Sequence, residues 1–362
     1  MIRICNDVKS VKELTEHYNH IVLYGAGASC RLFLKSFWAD CLQEKVICIV
    51  DNNQKLNGTY IEIGNCTIKI ISLKDFLNKY SALLTDIVFL LTPIASSVIV
   101  PELDKVQMLD GIKTYLLPMI SSNVFDAFSL KNDSVRRIPQ KIHYIWIGGK
   151  SLPEEYKKNI LSWQKYCPDY EIICWNENNY DFEKNQYMKE AYSMGGNCLM
   201  YATDYARKDI LFNCGGIYLD TDVELIKPLD ELLYNRAFIG IEGNGQVNSG
   251  SALGAEKGHP MIKIMMERYE NESFLDVEGN LTNKYNTYFE TDCLIDYGYK
   301  MINKLQVING MTCFPQEVFM PINYAGMENC FTDKTVSVHK INPEDCAWHR
   351  ELYEQWKHRI IL

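Results

Sequence analysis

The chain has 362 residues, 47% of them hydrophobic and 23% charged, which is enough apolar material for two domains with separate cores. A formal net charge of -9 excludes a nucleic-acid backbone as the expected partner, because that role calls for a basic face. Thirteen cysteines lie scattered without a CxxC pair, so neither a zinc site nor a disulfide framework is expected, and unpaired thiols suit a reducing cytosol.

The first third alternates short apolar runs with helical patterns. A helix over 8–18 precedes a strand at His20–Tyr24. The glycine turn Gly25-Ala26-Gly27-Ala28-Ser29-Cys30 follows, then a helix over 31–39 and a buried strand over 45–50 ending in Asp51. The order is nearly a dinucleotide fingerprint, with Gly25 and Gly27 as its first two glycines, Cys30 in place of the third, and Asp51 as the acid beyond the second strand. Strands over 66–70, 86–91 and 113–117, with helices over 73–80 and 97–103 between them, complete a Rossmann-like parallel sheet over residues 1–120. NAD is not expected here, since nothing in this half supplies the acid and base of a redox enzyme. Residues 121–137 lose periodicity and read as a linker.

From residue 138 a second α/β domain runs to 362. It opens with a strand over 141–147 that carries Ile145 and Trp146, a helix from Pro153 to Tyr166 and a strand over 170–175. At its centre stands YATDYARKDILFNCGGIYLDTD, residues 201–222. A helix over 198–213 places Asp204 and Arg207 at i and i+3 on one face. Gly215-Gly216 ends it. A strand over 217–219 then leads to Asp220-Thr221-Asp222, and at a strand end residues i and i+2 point the same way, so two carboxylates meet at one spot. Mg²⁺ and Mn²⁺ take such oxygens and leave room for substrate phosphates. Further on, Glu242–Ser251 reads as a polar, glycine-rich loop whose Asn248 is the candidate sugar contact, and a helix over 286–301 carries Glu290, Thr291 and Asp292. A strand over 335–340 holds His339, a candidate nitrogen ligand for a cation.

The stretches IPQKIHYIWIG, SW, PDY, DYAR and GGIYLDTD between Ile138 and Asp222 resemble glycosyltransferase family 32, the group whose sugar-binding region contains a DXD motif and which includes capsular-polysaccharide transferases. The resemblance covers about the last two thirds of the chain. It implies a GT-A fold, a nucleotide-sugar donor, UDP-linked, a divalent cation, Mn²⁺ or Mg²⁺, and hexose transfer with retention to a growing surface glycan or a lipid-linked glycan. By the same resemblance Trp146 stacks on the base beside Ile145. Asp204 and Arg207 hold the donor sugar. Asp220 and Tyr218 face the donor, Asp222 binds the metal, and His339 and Trp348 close the site. Ala347 stands where that family commonly has serine. Two other readings stay open: an NAD-dependent sugar-modifying enzyme using Gly25, Gly27 and Asp51, and a toxin-like transferase acting on protein. Location in the cytoplasm is expected. The C-terminal stretch Trp348–Leu362 mixes aromatic and basic residues, as does a segment lying on a membrane face or a helix packed on its domain.

Overall fold

The computed structural model describes residues 1–93, 96–122, 127–282, 285–322, 329–340, 351, 354–355 and 357–360. It contains two seven-stranded sheets, one from each part of the chain, and a small two-stranded ribbon.

The first sheet takes β1 (Arg3–Ile4), β2 (His20–Tyr24), β3 (Val46–Val50), β4 (Tyr60–Ile63), β5 (Cys66–Ile71), β6 (Ile87–Leu91) and β7 (Lys113–Leu116), in the order β1-β7-β6-β2-β3-β5-β4. Every pairing is parallel except the β4–β5 hairpin. The helices α1 (Val11–His17), α2 (Ala28–Phe37), α3 (Leu73–Tyr80), α4 (Ser96–Asp104) and α5 (Leu117–Ser122) connect them. Both faces of this sheet are covered, which is why its strands read as unbroken apolar runs. Ile21, Leu23, Ile49, Val88 and Leu90 enter one core, and Val22, Tyr24, Val50, Phe89 and Leu91 the other. The sequence leaves β1, β4 and α5 unannounced, because two- to four-residue edge strands show too little alternation to read.

The glycine turn follows β2, at the point where the strand order reverses. Gly25 sits at φ +94, and a Cβ there would lie 2.7 Å from Pro93 Cγ. The Asp51 carboxylate accepts the Ala26 N–H at 2.7 Å and the Asn53 N–H at 2.7 Å, so this acid ties the turn to the neighbouring strand. Cys30 is fully buried in the helix-sheet interface, filling the space that the third glycine of the fingerprint leaves. A Cβ on Gly27 would meet nothing within 4 Å.

The second sheet takes β8 (Lys141–Ile145), β9 (Glu171–Trp175), β10 (Gly216–Tyr218), β12 (Ala237–Ile241), β13 (Val247–Ala255), β14 (Gln306–Ile308) and β15 (Met311–Phe314), in the order β14-β15-β12-β13-β10-β8-β9. It is mixed: β10 runs parallel to β8 and antiparallel to β13. Around it lie α6 (Glu154–Tyr166), α7 (Gln186–Met194), α8 (Leu199–Cys214), α9 (Pro260–Glu270), α10 (Asn286–Ile295) and α11 (Gln316–Phe319). The ribbon pairs β11 (Val223–Leu225) with β16 (Ser337–His339), so 223–225 lies outside the main sheet.

Two expectations fail here for local reasons. The sequence places Glu242–Ser251 in a loop, but Val247–Ser251 forms the first half of β13, fully buried. Its Asn, Ser and Gly residues hydrogen-bond inward, and small side chains let the strand run beneath its neighbours. The helix expected over 286–301 ends at Ile295, where Gly298 at φ +95 turns the chain.

Candidate active site

The site is built at the C-terminal end of β10. The turn Asp220-Thr221-Asp222 follows, and it is a turn and not an extended strand end: the Val223 N–H donates to Asp220 O at 3.0 Å. Simple i, i+2 alternation therefore does not explain why the two carboxylates meet. The turn is held on all sides. The Asp220 N–H reaches Gly250 O at 3.2 Å, the Lys340 N–H reaches Asp222 O at 2.9 Å, and the Asn159 side chain donates to Thr221 O at 2.8 Å. Trp163, fully buried on α6, donates its indole N–H to Val223 O at 2.8 Å.

The ribbon brings the third group. His339 pairs with Val223 across β11–β16, and its Nε2 lies 3.1 Å from Asp222 Oδ1. One ligand atom from each of Asp220, Asp222 and His339 lies within 4.8 Å of the others. Two hard carboxylate oxygens and one imidazole nitrogen suit Mn²⁺ or Mg²⁺, with further positions left for phosphate and water. The residues present therefore fit the cation that the motif suggests. His339 keeps Asp222 below the ordinary carboxylate range despite burial, and Asp222 in turn lifts His339 against the burial that would depress it. Burial raises Asp220, with Asp222 adding to the effect and Arg207 opposing it.

Arg207 connects this turn to α8. It is almost fully buried, 3.1 Å from Asp204 Oδ1 and 3.5 Å from Asp220 Oδ2. Its Nη2 donates to Thr203 Oγ1 at 2.8 Å and its Nη1 to Ser249 Oγ at 3.3 Å, so the fork is fixed before any ligand arrives. Its guanidinium lies 4.8 Å from the centre of the Tyr218 ring, and the Tyr218 hydroxyl donates to Asp220 Oδ1 at 2.8 Å. Tyr218 is 1% exposed, so its hydroxyl braces Asp220 and does not face a ligand. Burial lifts the Asp204 carboxyl to about 7, against the pull of Arg207 and Lys208.

Beneath lies a buried ion pair that the sequence did not announce. Lys208 Nζ is 2.6 Å from Glu290 Oε1, both fully buried, and also donates to Asp204 O at 2.7 Å. Glu290 accepts the Ser249 N–H at 2.9 Å and its hydroxyl as well, while Thr291 Oγ1 accepts the Val247 N–H at 3.0 Å. The Glu290-Thr291 pair on α10 thus supports β13, and Asp292 faces away toward Lys35 and Arg268. A lysine at i+4 from Asp204 reads in sequence as one more solvated charge, and only packing reveals its burial.

Asn248 lies in the same patch. Its Oδ1 accepts from Gly250 N at 2.8 Å and Asn286 Nδ2 at 3.2 Å, and its Nδ2 donates to Glu242 Oε1 at 2.8 Å. Trp146 is half-buried, with its indole N–H on Lys150 O at 2.6 Å and its ring edge-on to Tyr156 at 5.8 Å. Tyr156 in turn feels the charges of Asp222 and Asp220. The Ile145 side chain, 6% exposed, belongs to the core and presents nothing to a ligand. Trp348 and Ala347 lie outside the described residues. Gly25, Gly27 and Asp51 belong to the first sheet and take no part in this cluster.

His143 is a further residue that motif reading passed over. It is fully buried on β8; Trp175 Nε1 donates to its Nδ1 at 3.0 Å, so its Nε2–H donates to Gly215 O at 2.9 Å. A Cβ on Gly216 would lie 2.7 Å from that Nε2, which is why the second glycine follows α8.

Residues 153–239 match the family model described as the glycosyltransferase sugar-binding region containing a DXD motif. Over this segment the chain is similar to the glycosyltransferases that carry the region. Inositol phosphoceramide mannosyltransferase 3 of Schizosaccharomyces pombe is 29% identical over 162 residues, 41% of this chain and 42% of that protein. The uncharacterized glycosyltransferase L373 of Acanthamoeba polyphaga mimivirus is 28% identical over 203 residues, 53% of this chain and 77% of that protein. Among solved structures, the galactosyltransferase LgtC with donor and acceptor sugar analogues superposes with a TM-score of 0.34 at 17% identity, covering 60% of this chain and 99% of that one. The chain spans about two fifths of the length of the Schizosaccharomyces pombe mannosyltransferase it matches. Its architecture is mixed α/β, with two large sheets that are mostly parallel and mixed respectively. Among the described residues, no helix is long and apolar enough to cross a membrane.

Proposed function

We propose that the chain transfers a hexose from a nucleotide-sugar, UDP-linked, to a growing surface or capsular glycan, with retention of anomeric configuration. The observation that carries this is the convergence of Asp220, Asp222 and His339 within 4.8 Å, beside a buried Arg207 that is itself 3.5 Å from Asp220. Asp222 and His339, with Asp220, would hold Mn²⁺ or Mg²⁺, and a cation there offsets the charge that builds on a departing diphosphate. Arg207, fixed by Asp204, Thr203 and Ser249, presents a delocalised positive charge to the same phosphates and to the donor sugar. Trp146, at the end of β8, offers a flat face for the base.

In the reaction the bond from the anomeric carbon to the diphosphate oxygen breaks, and the acceptor oxygen bonds to that carbon on the same face. The acceptor proton passes to the leaving phosphate oxygen, so no carboxylate base is required. This differs from the paired acids of a glycosidase. The catalytic setting is a reducing cytosol, with a glycan or lipid-linked glycan as acceptor. Use of the first sheet for NAD lacks a supporting observation: Asp51, the acid that would take a ribose hydroxyl, already accepts two backbone N–H groups.

A thermal-shift panel of UDP- and GDP-sugars, with and without Mn²⁺, tests the reading. A rise in Tm that needs both nucleotide-sugar and cation is expected. A rise with NAD alone, or none with any nucleotide-sugar, would overturn it.

A further inference from the structure

Glu242 follows β12 and opens the turn to β13. Its backbone is fixed twice: its N–H donates to Gln246 O at 2.7 Å and its carbonyl accepts the Gly245 N–H at 2.8 Å. The turn is anchored from outside by the Tyr299 hydroxyl on Gly245 O at 2.8 Å. Gly245 holds φ +82, and a Cβ there would lie 2.5 Å from the Met301 carbonyl carbon, so the turn is clamped in one geometry. A carboxylate in such a place is preorganised and does not drift.

Its chemistry is half used. One oxygen accepts from Asn248 Nδ2 at 2.8 Å. Among the described residues no hydrogen bond or ion pair engages the other, although the residue is half-buried and close enough to His339 for each to weigh in the other's electrostatics. That second oxygen is not among the buried polar atoms without a partner, so it is open to a ligand that can complete its hydrogen bonds. The ligand is not the diphosphate. That side of the site belongs to Arg207 and the Asp220–Asp222–His339 set, and a second anion beside Glu242 would repel it. An uncharged hydroxyl is the remaining chemistry of a nucleotide-sugar and its acceptor.

We infer that Glu242 accepts a hydrogen bond from a pyranose hydroxyl in the cleft, placed between Asn248 and the metal-holding group. This rests on the glycosyltransferase reading above. The hydroxyl has two sources, the donor sugar or the acceptor that attacks it.

The test is Glu242→Gln, with Glu242→Ala beside it, assayed for binding of UDP alone and of UDP-glucose and GDP-mannose with Mn²⁺, and for metal-dependent hydrolysis of the nucleotide-sugar. The amide keeps the oxygen that Asn248 needs and turns the free acceptor into a donor. A donor-sugar contact raises the Kd of the nucleotide-sugar roughly 10- to 100-fold, the range of a hydrogen bond to a charged group, while the Kd of UDP alone holds. An acceptor contact leaves both Kd values in place and lowers kcat of hydrolysis by a similar factor, since water then stands where the acceptor hydroxyl would. Variants equal to wild type in both readouts overturn the inference. So does a loss of affinity for UDP alone in step with the nucleotide-sugar, which would place Glu242 in the phosphate site or the fold. If the wild-type protein binds and hydrolyses none of these nucleotide-sugars while Asp222→Asn behaves identically, the glycosyltransferase reading itself has failed, a different result.

Discussion

Gly250 sets how closely β13 passes under the DXD turn. A Cβ there would lie 2.3 Å from Asp220 Oδ2, 3.0 Å from Asn248 Oδ1 and 3.2 Å from Arg207 Nη1. Three groups assigned to the donor would have to shift together, and displacements of about 1 Å at a reacting centre cost on the order of 100-fold. Gly250→Ala is therefore expected to lower nucleotide-sugar turnover by about that factor with the secondary structure intact by circular dichroism. Turnover within a few-fold of wild type would show that the patch yields easily. His259 makes a prediction of the opposite kind, about stability alone. It is 1% exposed, its Nδ1 accepts the Met261 N–H at 3.2 Å at the start of α9, and burial, with Arg236 adding, holds its pKa at about 4. The unfolded chain takes up a proton near the ordinary value of about 6.5, so its contribution is complete above that pH and is lost as pH falls toward 4. Urea unfolding of wild type and His259→Asn should diverge across this window, with the variant losing less, by on the order of 3 kcal/mol at pH 4. Parallel pH profiles would contradict it.

At the scale of elements, α10 and β13 are joined through buried charge. Lys208 on α8 and Glu290 on α10 are fully buried, and Glu290 also carries the Ser249 N–H. Removing one partner leaves the other uncompensated, a loss of about 3–5 kcal/mol, whereas neutralising both is far milder. Lys208→Met is expected to fall in that range by urea denaturation, and Lys208→Met with Glu290→Gln to recover more than half of it, since the amide oxygen still accepts from Ser249. A double variant less stable than the single one would contradict the pairing. These elements also show what sequence reading reaches. The strand at His20–Tyr24 was legible to the residue, because a β-branched run bounded by polar turns has one reading. The helix carrying Asp204 and Arg207 was legible from its spacing and its glycine stop. β13 was not, because its inward Asn248 and Ser249 look like solvent-facing residues until their partners, Glu242 and Glu290, are known. The turn at Asp220–Asp222 has the sequence pattern of a strand end, because its anchors, Asn159, Gly250 and Lys340, lie far away in sequence.

At the scale of the whole molecule, the two sheets are coupled through α2 and α10. Lys35 reaches Asp292 and Asp296 at 2.5 and 2.7 Å, the Met301 N–H donates to Ser36 Oγ at 2.9 Å, and Lys300 Nζ donates to Ser36 O at 2.7 Å. Met301 is buried in the core of the first sheet, and Tyr288 and Ile295 pack against both cores. The face of α10 opposite Glu290 thus rests on the first part of the chain. We expect one calorimetric unfolding transition for the full chain, with nucleotide-sugar raising it as a unit. Two transitions separated by more than about 10 °C, only one of them moved by ligand, would show the parts to be independent, since independent domains of this size melt separately. All of this converges on the Asp220, Asp222 and His339 cluster. Mn²⁺ binding followed by electron paramagnetic resonance, with and without UDP-glucose or GDP-mannose, measures it directly in wild type and Asp222→Asn. Bound Mn²⁺ is expected in the wild type, tightened by the nucleotide-sugar, with both lost in the variant. Equal Mn²⁺ affinity in the two proteins, unaffected by any nucleotide-sugar, would contradict it.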